Sequence, residues 1–327
     1  MKRIASISLF LTMIICTTES VFAQKFTKRK RYLSVGLSIG TVNYVGDLDP
    51  GNSSISPSFR NTGPAIGLFT GMYRWKPKVS FRGSFSYMYL SGNDFKASSA
   101  TGDDIFRKAR NLNFFNHVVE LKADVLYDFI GNKGTYLKRP EYVPYIFTGL
   151  AFIYQNPYSR LPDGKGGYEK GSRQRISKMD LETTSFSPVQ VIIPMGIGVR
   201  KKLNKYWDIS FEVGWRWSFT DYLDGVSGLY NKNVDPKYGK YQNMTWADNV
   251  QALVVEGGPI NNSTAPDPLL PGLNHLNGYN DNSDVEMKNG YSTSANRGNP
   301  KDKDWYIVTS FQVTKILKGG VRCPKFR

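Results

Sequence analysis

The sequence offers few residues that could carry out catalysis or hold a metal ion. Beyond residue 23 it contains a single cysteine, Cys323, and two histidines, His117 and His275. No paired His or Cys motif with metal-ligand spacing occurs, and no short motif brings together a nucleophile, a base and an orienting group. Asp221 and Asp224 precede further Asp and Asn residues, but their spacing matches no calcium-binding loop. We therefore predict no enzyme activity, no cofactor and no metal site.

The charged residues that could act together instead lie on strand-like segments. In residues 206–219, apolar side chains occupy every second position, and Asp208, Glu212 and Arg216 lie among the positions between them. Successive side chains of a β-strand point to opposite faces, so this pattern predicts one apolar face and one charged face. The chemistry available to the charged face is ion pairing and hydrogen bonding. A half-exposed strand of a soluble sheet is the alternative interpretation of this one segment.

Seven further segments show a strand pattern, which makes eight strands in total. They are residues 32–45, 64–75, 78–90, 113–129, 142–154, 190–203 and 304–316. Connections 46–63, 91–112, 155–189 and 220–303 are long, whereas 76–77, 130–141 and 204–205 are shorter. Outer-membrane barrels have even strand numbers and alternate short periplasmic turns with long external loops. We predict an all-β, eight-stranded antiparallel transmembrane barrel of the outer membrane, with both termini periplasmic.

The predicted barrel is preceded by a secretory signal. Lys2 and Arg3 begin the chain, an apolar stretch follows, and Ala23 ends a motif with small residues at the cleavage positions. We predict a signal peptide at 1–23, the barrel at 24–318 with external loop 220–303, and a periplasmic tail at 319–327. The 84 residues of that loop exceed ordinary loop lengths, which predicts function or disorder. Its apolar run suggests partial folding, a lid over the barrel, or a contact surface.

Several charged residues face the interior of the predicted barrel. They are Arg82, Glu120, Lys122, Asp124, Arg200, Glu212 and Arg216. An eight-stranded barrel is wide enough only for its own side chains, and unpaired buried charges are costly. We expect these residues to form ion pairs and hydrogen bonds that plug the lumen. The alternative is a polar conduit.

The formal charge of +16 is concentrated at the predicted periplasmic end. The candidate partner-binding residues of this basic face are Lys76, Lys78, Lys133, Lys138, Arg139, Lys201, Lys202, Lys205, Arg322 and Lys325. Two interpretations stay open, namely attraction to anionic phospholipid headgroups and docking of an acidic periplasmic protein. An exported barrel has no nucleic acid to bind, and we predict no small-molecule substrate.

Residues 110–121, 193–227 and 322–326 carry a family resemblance, most specifically in 110–114 and 219–224. They resemble the PorG-type outer-membrane barrels of the type IX secretion system of Bacteroidetes. The resemblance implies association with a periplasmic ring built by the lipoprotein PorK and its partner PorN, and a role that supports secretion without forming the translocation pore. We therefore expect a structural component that anchors this ring, with ring proteins and outer-membrane lipid as partners. The alternatives are a small-solute pore and a surface adhesin or receptor acting through the external loops.

Overall fold

The structure is a computed structural model that describes residues 30–48, 61–97, 112–161, 168–182, 185–228 and 303–317. These residues contain the strands β1 (Leu33–Val45), β2 (Thr62–Arg74), β3 (Val79–Asn93), β4 (Asn113–Asp128), β5 (Tyr142–Tyr154), β6 (Pro157–Ser159), β7 (Gln174–Arg175), β8 (Val189–Lys202), β9 (Trp207–Ser218) and β10 (Trp305–Leu317). They also contain one short helix, α1 (Asp94–Ala97), and 3₁₀ turns at Tyr136–Lys138 and Ile176–Lys178. Within these ranges no helix is long and apolar enough to cross a membrane.

The eight long strands form a closed antiparallel barrel. Their order around the barrel is β1, β2, β3, β4, β5, β8, β9 and β10, and β10 pairs back with β1. Closure leaves none of these strands with an unpaired edge. The prediction of an eight-stranded antiparallel barrel is confirmed, and the predicted strand bounds agree within three residues.

Two short strands, β6 and β7, were not predicted. They lie in the predicted connection 155–189 and extend the β4 edge beyond the barrel, where Phe115 pairs with Tyr158 and Tyr158 pairs with Arg175. Strands of two or three residues are too short to show an alternating pattern. Only the pairing of β6 with β4 and of β7 with β6 makes them strands.

The barrel has two distinct ends. The end formed by residues 75–78, 129–141 and 203–206 is called the turn end, and the opposite end, which carries the four longer connections, is called the loop end. Between them the outer face is apolar, with Leu37, Leu121 and Leu150 at least 60% exposed. Aromatic side chains lie near both ends of this apolar belt, including Trp75, Phe129, Tyr142 and Trp207 at the turn end and Tyr87, Tyr154, Trp217 and Phe219 at the loop end.

This distribution reverses that of a soluble protein. Large hydrocarbon side chains cover the outside while charged side chains are buried inside. In water such an apolar surface is unfavourable, whereas in a bilayer it faces hydrocarbon, and interfacial aromatic residues are typical of transmembrane barrels. The chain is therefore an all-β barrel of the transmembrane type.

The lipid-facing belt gives a direct prediction. Leu121→Arg, near the middle of β4, should lower the free energy of unfolding from lipid vesicles by roughly 2–4 kcal/mol. The matched control is Phe129→Arg, which is also exposed but lies just past the turn end of β4 and should cost about 0–1 kcal/mol. Denaturant titration of both variants measures this difference. Equal costs would show that the belt does not lie in hydrocarbon.

Candidate functional site

The charged side chains predicted to face inward all lie inside the barrel. Each of the seven is at most 7% exposed. They alternate along β3, β4, β8 and β9 with the exposed apolar residues of the same strands, so the pleat of each strand places them in the lumen. The structure brings six of the seven, all except Arg200, into two connected groups.

The first group is centred on Arg82. Its Nε and Nη2 atoms contact Asp124 Oδ2 at 2.9 and 2.8 Å, and its Nη1 contacts Glu212. Lys122 Nζ reaches the same Asp124 oxygen at 3.0 Å. Asp124 lies beside Arg82 on the neighbouring strand, whereas Glu212 projects from β9, which is directly opposite β3 in the barrel. The Arg82–Glu212 pair therefore connects opposite walls.

The second group joins β4 to β9 a little closer to the loop end. Arg216 Nε contacts Glu120 Oε2 at 3.0 Å, and the Tyr306 hydroxyl donates to the same oxygen at 3.4 Å. The Tyr145 hydroxyl donates to Glu212 of the first group at 2.5 Å. A cavity of about 40 Å³ lies among these side chains, which is room for roughly one or two water molecules. The lumen is thus filled by a paired polar network.

Aromatic rings and inward glycines complete this packing. The Arg82 guanidinium lies over the Phe147 ring at 4.8 Å, and the Arg200 guanidinium lies over the Tyr145 ring at 4.9 Å. A side chain at Gly196 would meet the Phe147 ring, since a Cβ there would be 2.6 Å from Cζ. The glycines of β8 therefore leave the space that these rings occupy.

A third set of buried charges lies at the turn end. Asp128 accepts from Arg74 at 2.6 Å and from Arg200 at 3.3 Å. Arg74, Asp128 and Asp208 were not among the seven predicted interior residues, although Asp208 was placed on the charged face of its strand. Asp128 and Asp208 share the strand parity of Asp124 and Glu212, so the alternation of side chains could have identified them. Arg74 follows a register shift between Gly67 and Phe69, which changes the parity of the buried positions along β2.

Arg139 requires a correction. It was predicted on the exposed basic face, but it is only 6% exposed and pairs with Asp208 at 2.7 Å. Its guanidinium also donates to the carbonyl oxygens of Tyr136 at 2.6 Å, Asn204 at 2.7 Å and Lys205 at 2.9 Å. Because one guanidinium has five N–H donors, it can join two turns at once. Arg139 positions the turn 129–141 against the turn 203–206.

The structure divides the other basic-face residues into two kinds. Lys76, Lys78 and Lys201 lie over aromatic rings of the turn-end belt, at 4.9, 5.6 and 5.2 Å from the ring centres. Lys202 is half-buried and donates to the Leu137 carbonyl oxygen at 3.1 Å. Lys133, Lys138 and Lys205 are exposed on the turns, and among the described residues none of these three has a cation–π contact. Arg322 and Lys325 lie outside the described residues.

The buried Arg139 brings together the exposed lysines of two turns. Arg139 lies next to Lys138 in the chain and bonds the backbone of Lys205, so two basic turns meet at one place. In the described part of the turn end, the carboxylates of Asp128 and Asp208 are buried in ion pairs and Glu141 is the one exposed acidic residue. The surface at this end therefore presents net positive charge to the aqueous phase.

The loop end is closed by an apolar layer that sequence analysis did not predict in this form. Side chains from all four connections enter the barrel mouth and pack on inward residues of the strands. The connection residues are Leu48, Leu112, Ile176, Met179, Leu181, Leu223 and Val226, and the strand residues include Val42, Leu90, Val118, Ile153 and Tyr306. Residues 220–228, the first part of the predicted external loop, contribute to this layer. The rest of the predicted external loop lies outside the described residues, apart from Lys303.

Buried carboxylates hold the segment 220–228, here called the lid segment, in this layer. The Tyr44 hydroxyl lies 2.7 Å from Asp224 Oδ2 and 2.7 Å from Asp304 Oδ1. The remaining oxygens accept the backbone N–H groups of Val226 and Leu223, both at 2.8 Å. A hydroxyl donates only one proton, so one of the two carboxyl groups must carry its own proton to complete both bonds.

The electrostatics of the lid segment agree with a retained proton. Burial raises the pKa of Asp224 well above its usual range, and the Asp304 carboxylate adds to this rise. Burial likewise raises the pKa of Asp304. For Asp221, burial raises the pKa to about 7, with a contribution from the Asp47 carboxylate. Gly225, with φ of 75°, forms the left-handed turn between the two anchored amides.

Of Cys323, His117 and His275, the structure describes His117. His117 lies on the outer face of β4, with its Nδ1 atom 2.6 Å from the Tyr87 hydroxyl oxygen. His275 and Cys323 lie outside the described residues. Across the described ranges, no three His, Cys, Asp or Glu side chains are arranged to hold a metal ion.

The interior network predicts a specific mutational pattern. Glu120→Gln leaves the buried Arg216 charge without its carboxylate and should destabilise the barrel by roughly 3–5 kcal/mol. The double variant Glu120→Gln with Arg216→Met removes the uncompensated charge and should recover much of that loss. Unfolding free energies in detergent micelles measure both. A double variant less stable than Glu120→Gln would contradict this pairing.

The protonated lid predicts a pH dependence. Because the pKa values of these carboxyl groups are raised in the folded state, their protonation stabilises the lid segment fully below about pH 4. This stabilisation is lost as the pH rises through the folded pKa values, about 7 for Asp221. Hydrogen exchange of the Leu223 and Val226 amides, corrected for intrinsic rates, should be slower at pH 5 than at pH 8. Asp304→Asn should reduce this dependence to the part that Asp221 contributes, whereas the exposed control Asp180→Asn should keep all of it. The same pH dependence in Asp304→Asn would refute the shared proton.

Three solved structures are similar to this chain over most of its length. The N-terminal β-barrel domain of OprF from Pseudomonas aeruginosa has 10% identity and a TM-score of 0.30, with 87% of this chain and 97% of that chain covered. Neisserial surface protein A has 9% identity and a TM-score of 0.32, with 88% and 96% covered. Ail from Yersinia pestis has 8% identity and a TM-score of 0.30, with 88% and 96% covered.

The barrel fold itself is established by the strand pairing of this chain. A search of curated protein sequences gave no match. A family match covers residues 9–250, which is most of the chain, and the family is described as a domain of unknown function. The protein belongs to this family, Domain of unknown function (DUF6089).

Proposed function

We propose that this protein is an outer-membrane barrel that serves as a structural component of type IX protein secretion and anchors a periplasmic ring at the membrane. The observation that carries the proposal is the combination of a filled lumen with a fixed, cationic turn end. The resemblance of residues 110–121 and 193–227 to PorG-type barrels supplies the identity of the system. In this arrangement the turn end faces the periplasm.

The filled interior favours a structural role over transport. Ion pairs join opposite walls at the level of Arg82, and an apolar layer closes the loop end. A solute pathway would require these pairs to separate, which leaves buried charges uncompensated. A small-solute pore is therefore the weaker alternative. A surface adhesin or receptor would act through external loops, most of which lie outside the described residues.

The turn end has the properties of a docking surface for an acidic protein. Lys133, Lys138 and Lys205 are exposed on two turns that Arg139 holds together. A fixed cluster of one sign steers an oppositely charged partner and increases its association rate. Lys76, Lys78 and Lys201, which lean on aromatic rings, fit the lipid headgroup region instead. The two open interpretations of the basic face thus apply to different residues.

Charge removal tests this division. In the bacterium, replacing Lys133, Lys138 and Lys205 with Gln should reduce co-purification of the ring proteins about tenfold at moderate salt and lower cargo secretion. The matched control replaces Lys76, Lys78 and Lys201 with Gln and removes the same charge from the same end. It should leave co-purification within about twofold of the unmodified protein. Both variants are compared at equal abundance in the outer membrane.

Two results would contradict the proposal. Co-purification that survives the first triple substitution at low and moderate salt would exclude docking through this surface. Absence of any ring protein from purifications of the unmodified barrel would exclude the ring-anchoring function itself.

A further inference from the structure

A row of stacked aromatic rings lies on the outer face at the loop end, apart from the sites described above. The rings of Tyr89 and Phe115 are stacked at 6.2 Å, and those of Phe115 and Tyr158 at 5.5 Å. The row passes from β3 to β4 to β6, because Phe115 pairs with Tyr158 in the strand register. Phe115 is only 6% exposed although it is on the outer face, so other groups cover it.

Three arginine side chains lie over the rings of this row. The Arg160 guanidinium lies over the Phe115 ring at 4.8 Å, and the Arg173 guanidinium lies over the Tyr158 ring at 4.9 Å. Arg175 lies over the same Tyr158 ring at 5.6 Å, and its Nε donates to the Tyr158 hydroxyl oxygen at 2.8 Å. Stacking holds each guanidinium plane in place while leaving most of its N–H donors at the edge.

The backbone of this arginine cluster is fixed by the fold. Asn113 of β4 donates to the Arg160 carbonyl oxygen at 2.7 Å, and its Oδ1 accepts the Arg160 N–H at 2.9 Å. Arg175 is held by its register with Tyr158 in the β6–β7 pair. Arg175 therefore lies in a strand, and Arg160 and Arg173 are the residues directly next to β6 and β7.

The charge of the cluster is not neutralised within the described protein. Arg160, Arg173 and Arg175 are exposed, and in the described ranges none of them forms an ion pair with a carboxylate. The buried arginines Arg74 and Arg216, by contrast, are each paired with one. Neighbouring like charges repel one another, and an anion bound among them relieves that repulsion.

The position of the cluster indicates which anion this is. It lies on the lipid-facing side of β3 and β4, directly beyond the exposed apolar residues Phe85 and Leu121 and beside the loop-end aromatic belt. That belt marks the depth of lipid headgroups. Guanidinium groups bind phosphate through paired, charge-assisted hydrogen bonds. We propose that Arg160, Arg173 and Arg175 form a binding site for the phosphate groups of an anionic glycolipid in the leaflet that faces the loops.

This inference rests on the outer-membrane placement in the proposed function, because the leaflet at the loop end of such a barrel contains phosphorylated glycolipid. Binding would hold lipid against the β3–β4 wall and fix the height of the barrel in the membrane. The ring-docking surface is at the opposite end of the barrel, so the two sites can fail independently.

The test uses the full-length barrel in phosphatidylcholine nanodiscs that contain lipid A with both phosphates or lipid A from which both phosphates have been removed. Native mass spectrometry counts the bound glycolipid. The variant replaces Arg160, Arg173 and Arg175 with Gln, and the matched control replaces the exposed loop-end lysines Lys96, Lys170 and Lys178 with Gln. Outer-membrane fractionation of all three proteins and the temperature-dependent gel mobility of the folded barrel are measured in parallel.

We expect the unmodified barrel and the lysine control to bind diphosphorylated lipid A at least tenfold more tightly than the dephosphorylated form, and the arginine variant to lose that preference. Millimolar inorganic phosphate should not displace the lipid, which separates a membrane site from a site for free phosphate. The proposed site would be overturned if the unmodified barrel bound both forms of lipid A equally. It would also be overturned if the lysine control lost the preference as fully as the arginine variant, or if inorganic phosphate displaced the lipid. Absence of the unmodified barrel from the outer-membrane fraction would instead refute the proposed function.

Discussion

The structure depends on the need to pair every charge enclosed in a barrel too narrow to hold bulk water. Eight strands leave space for side chains alone, and the pleat directs the polar half of each strand into that space. Arg82 meets this constraint by pairing with Asp124 on the next strand and with Glu212 on the opposite strand. Because the pairs cross the lumen, the same contacts that neutralise charge also fix the wall positions relative to one another.

The two ends of the barrel compensate buried charge in different ways. At the turn end, Arg139 and Asp208 form a buried pair whose guanidinium also joins two turns, so a charge inside the barrel organises the lysines outside it. At the loop end, apolar side chains of the connections replace ion pairs, and the buried Asp224 and Asp304 avoid repulsion by sharing Tyr44 and a proton. The interior thus changes from charged to apolar along the axis. Such an interior suits a fixed support better than a passage.

The outer surface also separates cations by whether they contact an aromatic ring. Lysines at the turn-end belt lie on aromatic rings, whereas Lys133, Lys138 and Lys205 extend beyond it. At the loop end, Arg160, Arg173 and Arg175 are stacked on a row of rings at the height of the lipid headgroups. The rings therefore act at both ends as platforms that set where a cation stands relative to the membrane. Cations that contact no aromatic ring face the aqueous phase, where a soluble partner can reach them.

Local pattern alone determined the eight long strands and the inward direction of the seven predicted interior side chains. Alternation of two residues is a property of a single strand, so residues such as Glu212 and Arg216 could be placed inside without knowledge of their neighbours. Only the closed barrel decided which charge meets which, because Glu212 reaches Arg82 across the lumen, from residues 130 apart in the chain. The same reason explains why the position of Arg139, the apolar layer at the loop end and the arginine cluster beside β6 and β7 were not predicted. Each depends on segments that are distant in sequence and become neighbours only when the eight strands close.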